Sequence, residues 1–271
     1  MTSQSRGKGF AVRRQPGFAA IAIFCFILLY LPIATLVVYS FNAGTSIAIW
    51  EGFSWRWYQA AWRNDQVQDV SLRSLLIAAV AAFVSSICAT MAALATTRTK
   101  HFPGLTFIYA FVNQPLMVPE IVTGVALLIF FAMIKIQTGY TGIAYLLAAH
   151  TAFCIPFAYL PIRARLESMD LSLERAAADL YATPWKTFRY VTLPILWPGI
   201  LAGAMLAFVV SLDDVVITEL VKSGGQDTLP TYMLGQLRRV VTPEMNAISS
   251  VFLFISILTV TIFFILSRKR Q

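Results

Sequence analysis

The sequence contains no charged residue between Arg14 and Glu51. A transmembrane helix needs about 20 mostly apolar residues, so this stretch can cross a bilayer, and we predict a helix over 18–40. Basic residues precede it, but the apolar run is too long for a secretory signal peptide and lacks a small-residue cleavage site. We therefore expect a retained membrane anchor.

The same character extends through the whole chain. Of its 271 residues, 58% are hydrophobic and only 13% are charged, which is more apolar surface than one soluble core could bury. The fold class predicted is an all-α integral membrane protein with about six transmembrane helices. The predicted spans are residues 18–40, 72–96, 103–134, 141–162, 190–212 and 245–266.

The third apolar stretch, 103–134, is longer than one bilayer crossing. Pro115 and Pro119 interrupt it, so we expect either one tilted, broken helix or a helix with a re-entrant piece. A count of five spans stays open in case this stretch does not cross fully. Residues 18–267 are predicted to form one transmembrane domain, between an N-terminal segment, 1–17, and a tail, 268–271.

The basic residues predict the orientation of the spans. Fourteen of the 21 lysines and arginines lie in the N-terminal segment, at 98–100, within 163–189, or at the C-terminus. Cytoplasmic loops of membrane proteins are enriched in these residues. We therefore place both termini and the insert 163–189 in the cytoplasm, and we read the net charge of +8 as a topology signal that does not indicate nucleic-acid binding.

No catalytic or nucleotide-binding motif is present. The sequence lacks the G-x-x-x-x-G-K-[ST], H-E-x-x-H and G-x-S-x-G patterns, and Cys25, Cys88 and Cys154 fall inside apolar spans, where they are expected to be small buried hydrophobes. An enzyme is not predicted, and no cofactor or metal is expected on this chain. If transport is energised, ATP and Mg²⁺ must be bound by a partner subunit.

The longest polar insert, residues 170–198, predicts two short helices around a tight turn. Asp170 or Ser172 is expected to cap the first helix, and Thr183 to cap the second, with Pro184 at its first position. Pro194 and Pro198 are expected to kink or restart the chain as it enters the membrane.

This insert resembles the cytoplasmic loop of permeases in binding-protein-dependent ABC importers, which reads EAA, three residues, G, nine residues, I-x-L-P. Ala176 and Ala177 match the two alanines, and the run Val191–Pro194 matches I-x-L-P. Arg175 replaces the glutamate and Tyr181 the glycine. Other runs are similar to permeases of spermidine and putrescine importers: SFNAG, WRWY, PLMVPEIVTG, DLYATP, SLDDVVI, TLPTY and TPEMNA.

The resemblance implies a type I ABC importer permease in the bacterial inner membrane, with a cytoplasmic coupling helix and a polyamine as substrate. It also implies a second permease subunit, two ATPase subunits, a periplasmic substrate-binding protein and surrounding membrane lipid as partners, and no nucleic acid. The residues expected to couple to the ATPase are Glu174, Arg175, Ala176, Ala177, Asp179, Leu180, Tyr181, Ala182, Thr183 and Pro184.

Tyr181 stands where a glycine would suit a left-handed residue that ends a helix. A tyrosine in that conformation costs roughly 1–2 kcal/mol. Two alternatives follow: the turn is built differently, or the strain is tolerated.

Three acidic residues lie within or beside apolar spans, where a charge is costly and marks a candidate site. Glu120 follows Pro119, and Asp213 and Asp214 end the fifth span. A cationic polyamine would be stabilised by such carboxylates. The alternatives are a structural hydrogen bond or ion pair for Glu120 and helix-end interactions for the two aspartates. His150 is expected to be a packing histidine rather than a proton relay.

Other classes stay open at this point. An importer of another small solute is the closest alternative. A stand-alone secondary transporter or channel is a second, but it would have no use for a loop that docks on an ATPase. An intramembrane enzyme is a third, but it would need a set of catalytic residues in the spans. The aromatic-rich segment 41–70 is expected to lie outside, either as an interfacial anchor or in contact with the substrate-delivering partner.

Overall fold

The computed structural model describes residues 16–47, 49–99, 103–239 and 242–268. The predicted cytoplasmic ends, 1–15 and 269–271, lie outside the described residues. The described chain forms helices and, within these ranges, no β-strand. The helices are α1 Pro16–Tyr39, α2 Arg56–Arg63, α3 Asp65–Arg98, α4 Leu105–Met117, α5 Glu120–Thr138, α6 Ala144–Glu167, α7 Ser172–Asp179, α8 Pro184–Thr187, α9 Leu193–Asp213, α10 Val216–Val221, α11 Leu229–Leu237 and α12 Pro243–Arg268.

Six of the described helices are long and apolar enough to cross a membrane, so the predicted count of six is confirmed and the alternative of five is not needed. They are Ala19–Tyr39, Asp65–Arg98, Glu120–Thr138, Ala144–Glu167, Pro184–Asp213 and Pro243–Ile265. The second begins seven residues earlier than predicted, because the side chain of Asn64 accepts hydrogen bonds from the backbone N–H groups of Gln66 and Val67 and caps it.

The third apolar stretch is broken, as predicted, and forms two helices, α4 and α5. The helix long enough to cross is Glu120–Thr138, so the bounds of the span differ from the predicted 103–134. The chain leaves the helical conformation at Pro119, which has φ −53° and ψ 133°. A proline has no N–H to donate and disfavours helix in the residue before it, so α4 ends at Met117. The spanning helix is α5, whereas Pro115 lies within α4 without breaking it.

The fifth span is longer than the predicted 190–212. A π-helical turn, Phe188–Thr192, joins α8 to α9, so the helix runs from Pro184 to Asp213. The backbone N–H of Leu193 bonds to the carbonyl of Phe188, five residues back. The wider turn makes room just before Pro194, where a regular helix would clash. Of the two predicted alternatives, a kink or a restart, the restart is excluded, because the helix continues through Pro194 and Pro198.

The described residues fall into two compact units, one within Met1–Ala61 and Thr242–Val251, the other within Trp62–Val241 and Phe252–Gln271. In the second unit, α3, α6 and α9 pack against one another and form the core, α5 packs on α10, and α11 packs on α3. Small residues of α3 lie in this core, among them Ala78, Ala81, Ala82, Ala89 and Ala93.

Two glycines let α6 and α9 approach closely. A Cβ on Gly203 would lie 2.6 Å from the carbonyl oxygen of Ala158, and one on Gly199 would lie 2.7 Å from Cβ of Arg165. The two glycines stand four residues apart, the spacing at which small residues line one face of a membrane helix. This contact was not among the predictions.

The first unit contains α1 and the loop that follows it. Asn42 is fully buried, and its amide donates to the carbonyls of Ser46 and Ile49 while its oxygen accepts from the N–H groups of Gly44 and Glu51. Aromatic rings of this loop and of α2 pack on one another: Phe41 and Trp55 contact each other, and both contact Phe53 and Tyr58. Phe53 and Trp55 stay largely exposed.

The cysteines are all free. Cys154 is buried as expected, Cys88 is half-buried, and Cys25 is exposed. Cys25 lies in the apolar part of α1, of which no residue is buried by the described part of the chain.

Candidate functional site

The loop after α6 contains the predicted turn between two helices, with Tyr181 in the left-handed conformation at φ 58°. The N–H of Ala182 bonds to the carbonyl of Ala177 at 3.0 Å, and the N–H of Tyr181 bonds to that of Ala178 at 2.9 Å. These two hydrogen bonds are a Schellman motif, the ending that normally takes glycine. Of the two alternatives, the strained turn is the one present.

The starts of the two short helices differ from each other. Thr183 caps α8 by accepting a hydrogen bond from the N–H of Lys186, and Pro184 is its first residue, as predicted. Asp170 is not the N-cap of α7, because the helix begins at Ser172 and Leu171 occupies the cap position. The Asp170 carboxylate instead accepts hydrogen bonds from the N–H and the hydroxyl of Ser172. The backbone N–H and the hydroxyl of Ser172 hold the pKa of Asp170 below its ordinary value.

Glu174 faces the body of its own chain. Its carboxylate pairs with Arg98 of α3 at 3.2 Å and accepts from the hydroxyl of Thr192 at 3.0 Å. Arg98 in turn donates to the carbonyl of Leu166 at the end of α6. Glu174 therefore fastens α7 to α3, α6 and the π-helical turn, while Arg175, about 100° further round the helix, is exposed.

Three large apolar side chains of the loop are exposed. Leu180 is 82% exposed, Tyr181 95% and Trp185 69%. Arg175, Ala176 and Asp179 are also exposed, whereas Ala177 and Ala182 are half-buried. Exposed aromatic and leucine side chains held on a rigid turn are typical of a protein-docking surface. We call Leu180, Tyr181 and Trp185 the docking patch.

The three acidic candidates come together at the end of α9. The carboxyl group of Glu120 lies within hydrogen-bonding distance of Asp214 and within electrostatic range of Asp213. The contact is possible because α5 packs on α10 at Gly124, where a Cβ would lie 2.6 Å from Cδ1 of Leu220. Asp213 is exposed and Glu120 is half-buried. Within the described part of the chain, neither forms a salt bridge with a basic side chain.

Asp214 has a different environment, and its neighbours were not predicted. Its buried side chain accepts hydrogen bonds from the N–H groups of Ile217 and Thr218 and from the Thr218 hydroxyl. His150, fully buried, contacts Thr218 Oγ1 through Nε2 at 2.9 Å and Ser211 Oγ through Nδ1 at 2.8 Å. His150 is thus a hydrogen-bonded packing residue, as expected, and it links α6 to α9 and α10.

A polar cleft of about 200 Å³ lies between the start of α3 and the α10–α11 segment. Within it, Lys222 donates to Asp227 at 2.6 Å and to Glu219 at 2.5 Å. Burial lowers the pKa of Lys222, but the hydrogen bonds to the two carboxylates outweigh it and raise the pKa above its ordinary value.

Sequence reasoning missed Arg98, Thr192 and Trp185 in the loop region, and Ser211 and Thr218 beside Asp214. In the sequence, Arg98 was notable only as one of the basic residues that predict the orientation of the spans. Thr218 has a local signal, since it lies four residues after Asp214 and can meet it across one helical turn. Trp185 has none, because an aromatic residue at the start of a helix is equally compatible with burial.

Comparison with known proteins bears on this arrangement. A family profile described as "Binding-protein-dependent transport system inner membrane component" matches residues 87–269, more than half of the chain. The chain belongs to this family. The matched region includes α5, α6, the loop with its docking patch, and the three acidic residues.

Several members of the family are similar over nearly the whole permease. The putrescine transport system permease protein PotI of Escherichia coli (strain K12) is 38% identical over 245 residues, which cover 89% of this chain and 87% of the relative. The spermidine/putrescine transport system permease protein PotC of Haemophilus influenzae is 33% identical over 90% of this chain and 93% of the relative.

Solved structures support the fold. A bacterial ABC transporter involved in the import of the acidic polysaccharide alginate superposes with a TM-score of 0.71 over 93% of this chain and 94% of that chain, at 15% identity. The MetNI methionine ABC transporter superposes with a TM-score of 0.60 over 74% of this chain and 94% of that chain, at 17% identity. The permease therefore has the ABC importer permease fold.

Proposed function

We propose that this permease is one transmembrane subunit of an ABC importer that carries a polyamine, putrescine or spermidine, across the bacterial inner membrane. The observation that carries the substrate class is the group Glu120, Asp213 and Asp214, three carboxylates at one point of an apolar helix bundle. The similarity to permeases named for putrescine and spermidine favours the same class.

The acidic group suits a polyamine for an electrostatic reason. Glu120 and Asp213 form no salt bridge in the described part of the chain. Like charges repel in a medium of low dielectric constant, and an ammonium group beside the carboxylates would remove the repulsion. An anionic solute would be repelled by this arrangement.

The proposed partners are a second permease subunit, two ATPase subunits that bind ATP and Mg²⁺, and a periplasmic substrate-binding protein. The docking patch would seat in the ATPase, and Glu174, through Arg98, would transmit its movement to α3 and α6. Both termini would then lie in the cytoplasm, and the segment between α9 and α12 would face the periplasm.

The test of this function uses the complete complex in proteoliposomes. We expect loaded binding protein to stimulate ATP hydrolysis and uptake with putrescine or spermidine, and not with arginine or thiamine. Stimulation by arginine or thiamine would support an ABC importer but would reject a polyamine as its substrate. No ATPase activity with any solute would favour a transporter that works alone.

Leu180→Asp tests the docking patch. A charge placed on an apolar hot spot should reduce stimulated uptake at least about tenfold, while the permease still reaches the membrane. Leu237→Asp, which changes an exposed leucine of α11 in the same way, is the matched control and should leave coupling unchanged. Equal losses in both variants would argue against ATPase docking at Leu180.

A further inference from the structure

Helix α7 ends immediately before the docking patch, and hydrophobic packing does not fix its position, because none of its residues is buried. Within the described part of the chain, the side-chain hydrogen bonds that join α7 to other helices all involve Glu174. Its neighbours Arg175 and Ala176 are exposed. The position of α7 relative to the spans therefore depends on one carboxylate.

The Glu174 carboxylate is connected to the ends of three spans. Oε2 lies 3.2 Å from Nε of Arg98, the last residue of α3, and Oε1 accepts from the hydroxyl of Thr192 at 3.0 Å. Thr192 ends the π-helical turn that leads into α9. Arg98 also donates through Nη2 to the carbonyl of Leu166 at 3.2 Å, in the last turn of α6. Because α3, α6 and α9 form the core, a displacement of α7 is passed to all three.

The hydroxyl of Thr192 does not need Glu174 for its own satisfaction. A threonine in a helix can donate to the carbonyl four residues earlier, and Thr90 and Thr97 do so, each at 2.7 Å. Thr192 is also helical, and it is buried, yet its hydroxyl donates to a residue of a different helix. This bond connects two elements, as a contact that transmits movement must.

The ion pair between Arg98 and Glu174 is partly shielded from solvent. Both side chains are 21% exposed, whereas in a second pair, at the end of α6, Arg163 is 31% and Glu167 53% exposed. Water and salt weaken a partly buried pair less than an exposed one. The second pair lies within one helix and connects no two elements, so it offers a matched control.

We propose that Arg98, Glu174 and Thr192 are positioning residues that transmit movement between the docked ATPase and the core of the permease. This inference deepens the proposed function, on which it rests, and separates two tasks within the loop. The docking patch holds the ATPase, and the three residues make α7 move together with α3, α6 and α9. Loss of the connection leaves the ATPase bound and interrupts transmission in both directions, because coupling between two sites is reciprocal.

The experiment uses the complete complex in proteoliposomes, with binding protein loaded with putrescine or spermidine. It measures the ATPase subunits that copurify with the permease, ATP hydrolysis with and without the binding protein, and uptake. Glu174→Ala should keep the ATPase subunits and the unstimulated hydrolysis of the wild type, while stimulation and uptake both fall at least about fivefold. Leu180→Asp should instead lose ATPase subunits. Glu167→Ala, the matched control, should leave all of these quantities unchanged.

A double substitution shows whether the ion pair acts as one unit. Arg98→Ala should reproduce the loss of stimulation in Glu174→Ala, and the two changes together should be no worse than Arg98→Ala alone. Multiplying losses, or full stimulation in an assembled Glu174→Ala complex, would overturn the inference.

Thr192→Val provides a milder test that stays available if the ion-pair variants do not assemble. It keeps the shape of the side chain and removes the hydroxyl that bonds to Glu174. We expect stimulation to fall at least about twofold and to be restored by Thr192→Ser. Stimulation at the wild-type level in Thr192→Val would also overturn the inference.

The wild-type complex separates this inference from the proposed function. Uptake without ATP hydrolysis would reject both. Stimulation by arginine or thiamine would reject only the polyamine, and the variants measured with that solute are expected to show the same losses. A wild-type complex that couples hydrolysis to polyamine uptake, together with variants that behave like it, would reject only the inference.

Discussion

At the scale of single residues, Tyr181 shows how a loop can keep a geometry that its sequence disfavours. The Schellman hydrogen bonds from Tyr181 and Ala182 fix the turn, and the ring projects almost wholly into solvent. A β-carbon in the left-handed region costs roughly 1–2 kcal/mol. In the proposed function this strain is offset by better docking on the ATPase, because the tyrosine ring enlarges the docking patch.

Tyr181→Gly should therefore stabilise the loop and weaken docking. We expect the complex to melt roughly 2–4 °C higher, because glycine adopts a positive φ without a steric cost, while coupled uptake falls. Tyr181→Ala is the control that removes the ring and keeps the strain, so it should lose uptake without gaining stability. A gain in melting temperature with alanine as large as that with glycine would contradict the role of strain.

At the scale of helices, the core depends on how closely α6 and α9 approach. Hydrophobic burial does not drive helices together in lipid, so packing contacts at small residues do. Gly199 and Gly203 supply that approach on α9, and the carbonyl of Ala158 lies directly against Gly203.

Gly203→Ala should destabilise the permease by about 1–3 kcal/mol, because the added methyl group meets a backbone atom that cannot move without shifting α6. Gly235→Ala is the matched control in α11, where nothing lies within 4 Å of the added carbon, and it should be neutral or slightly stabilising. Thermal unfolding in detergent would measure both, and equal melting temperatures for the two variants would refute the close-packing explanation.

At the scale of the whole molecule, the distribution of basic residues gives the proposed orientation. The ends of the sequence and the insert around α7 and α8 carry most of the lysines and arginines. With six spans, this places the C-terminus and the docking patch on the same side of the membrane.

Reporter fusions test this orientation. A green fluorescent protein joined after Gln271 should fluoresce, and an alkaline phosphatase joined there should be inactive. The pattern should reverse at Gly224, in the turn between α10 and α11, because that segment is proposed to be periplasmic. The same reporter being active at both places would mean an even number of crossings between them and would contradict the proposed orientation.

Much of the architecture could be predicted from the sequence. Apolar runs bounded by charges gave six spans, because a bilayer imposes one minimum length on any helix that crosses it. The loop turn, the cap at Thr183 and the prominence of Glu120, Asp213 and Asp214 followed equally from local chemistry: a threonine before a proline starts a helix, and a carboxylate in an apolar run is costly wherever the chain folds.

The tertiary structure decided what local chemistry leaves open. Whether Glu174 points to a partner or to Arg98 depends on residues that are 76 positions apart in the sequence. The different surroundings of Asp213 and Asp214 depend on His150, Ser211 and Thr218, which three packed helices bring together. Two adjacent aspartates are equivalent in sequence, and they become different only because folding buries one against hydrogen-bond donors and leaves the other exposed.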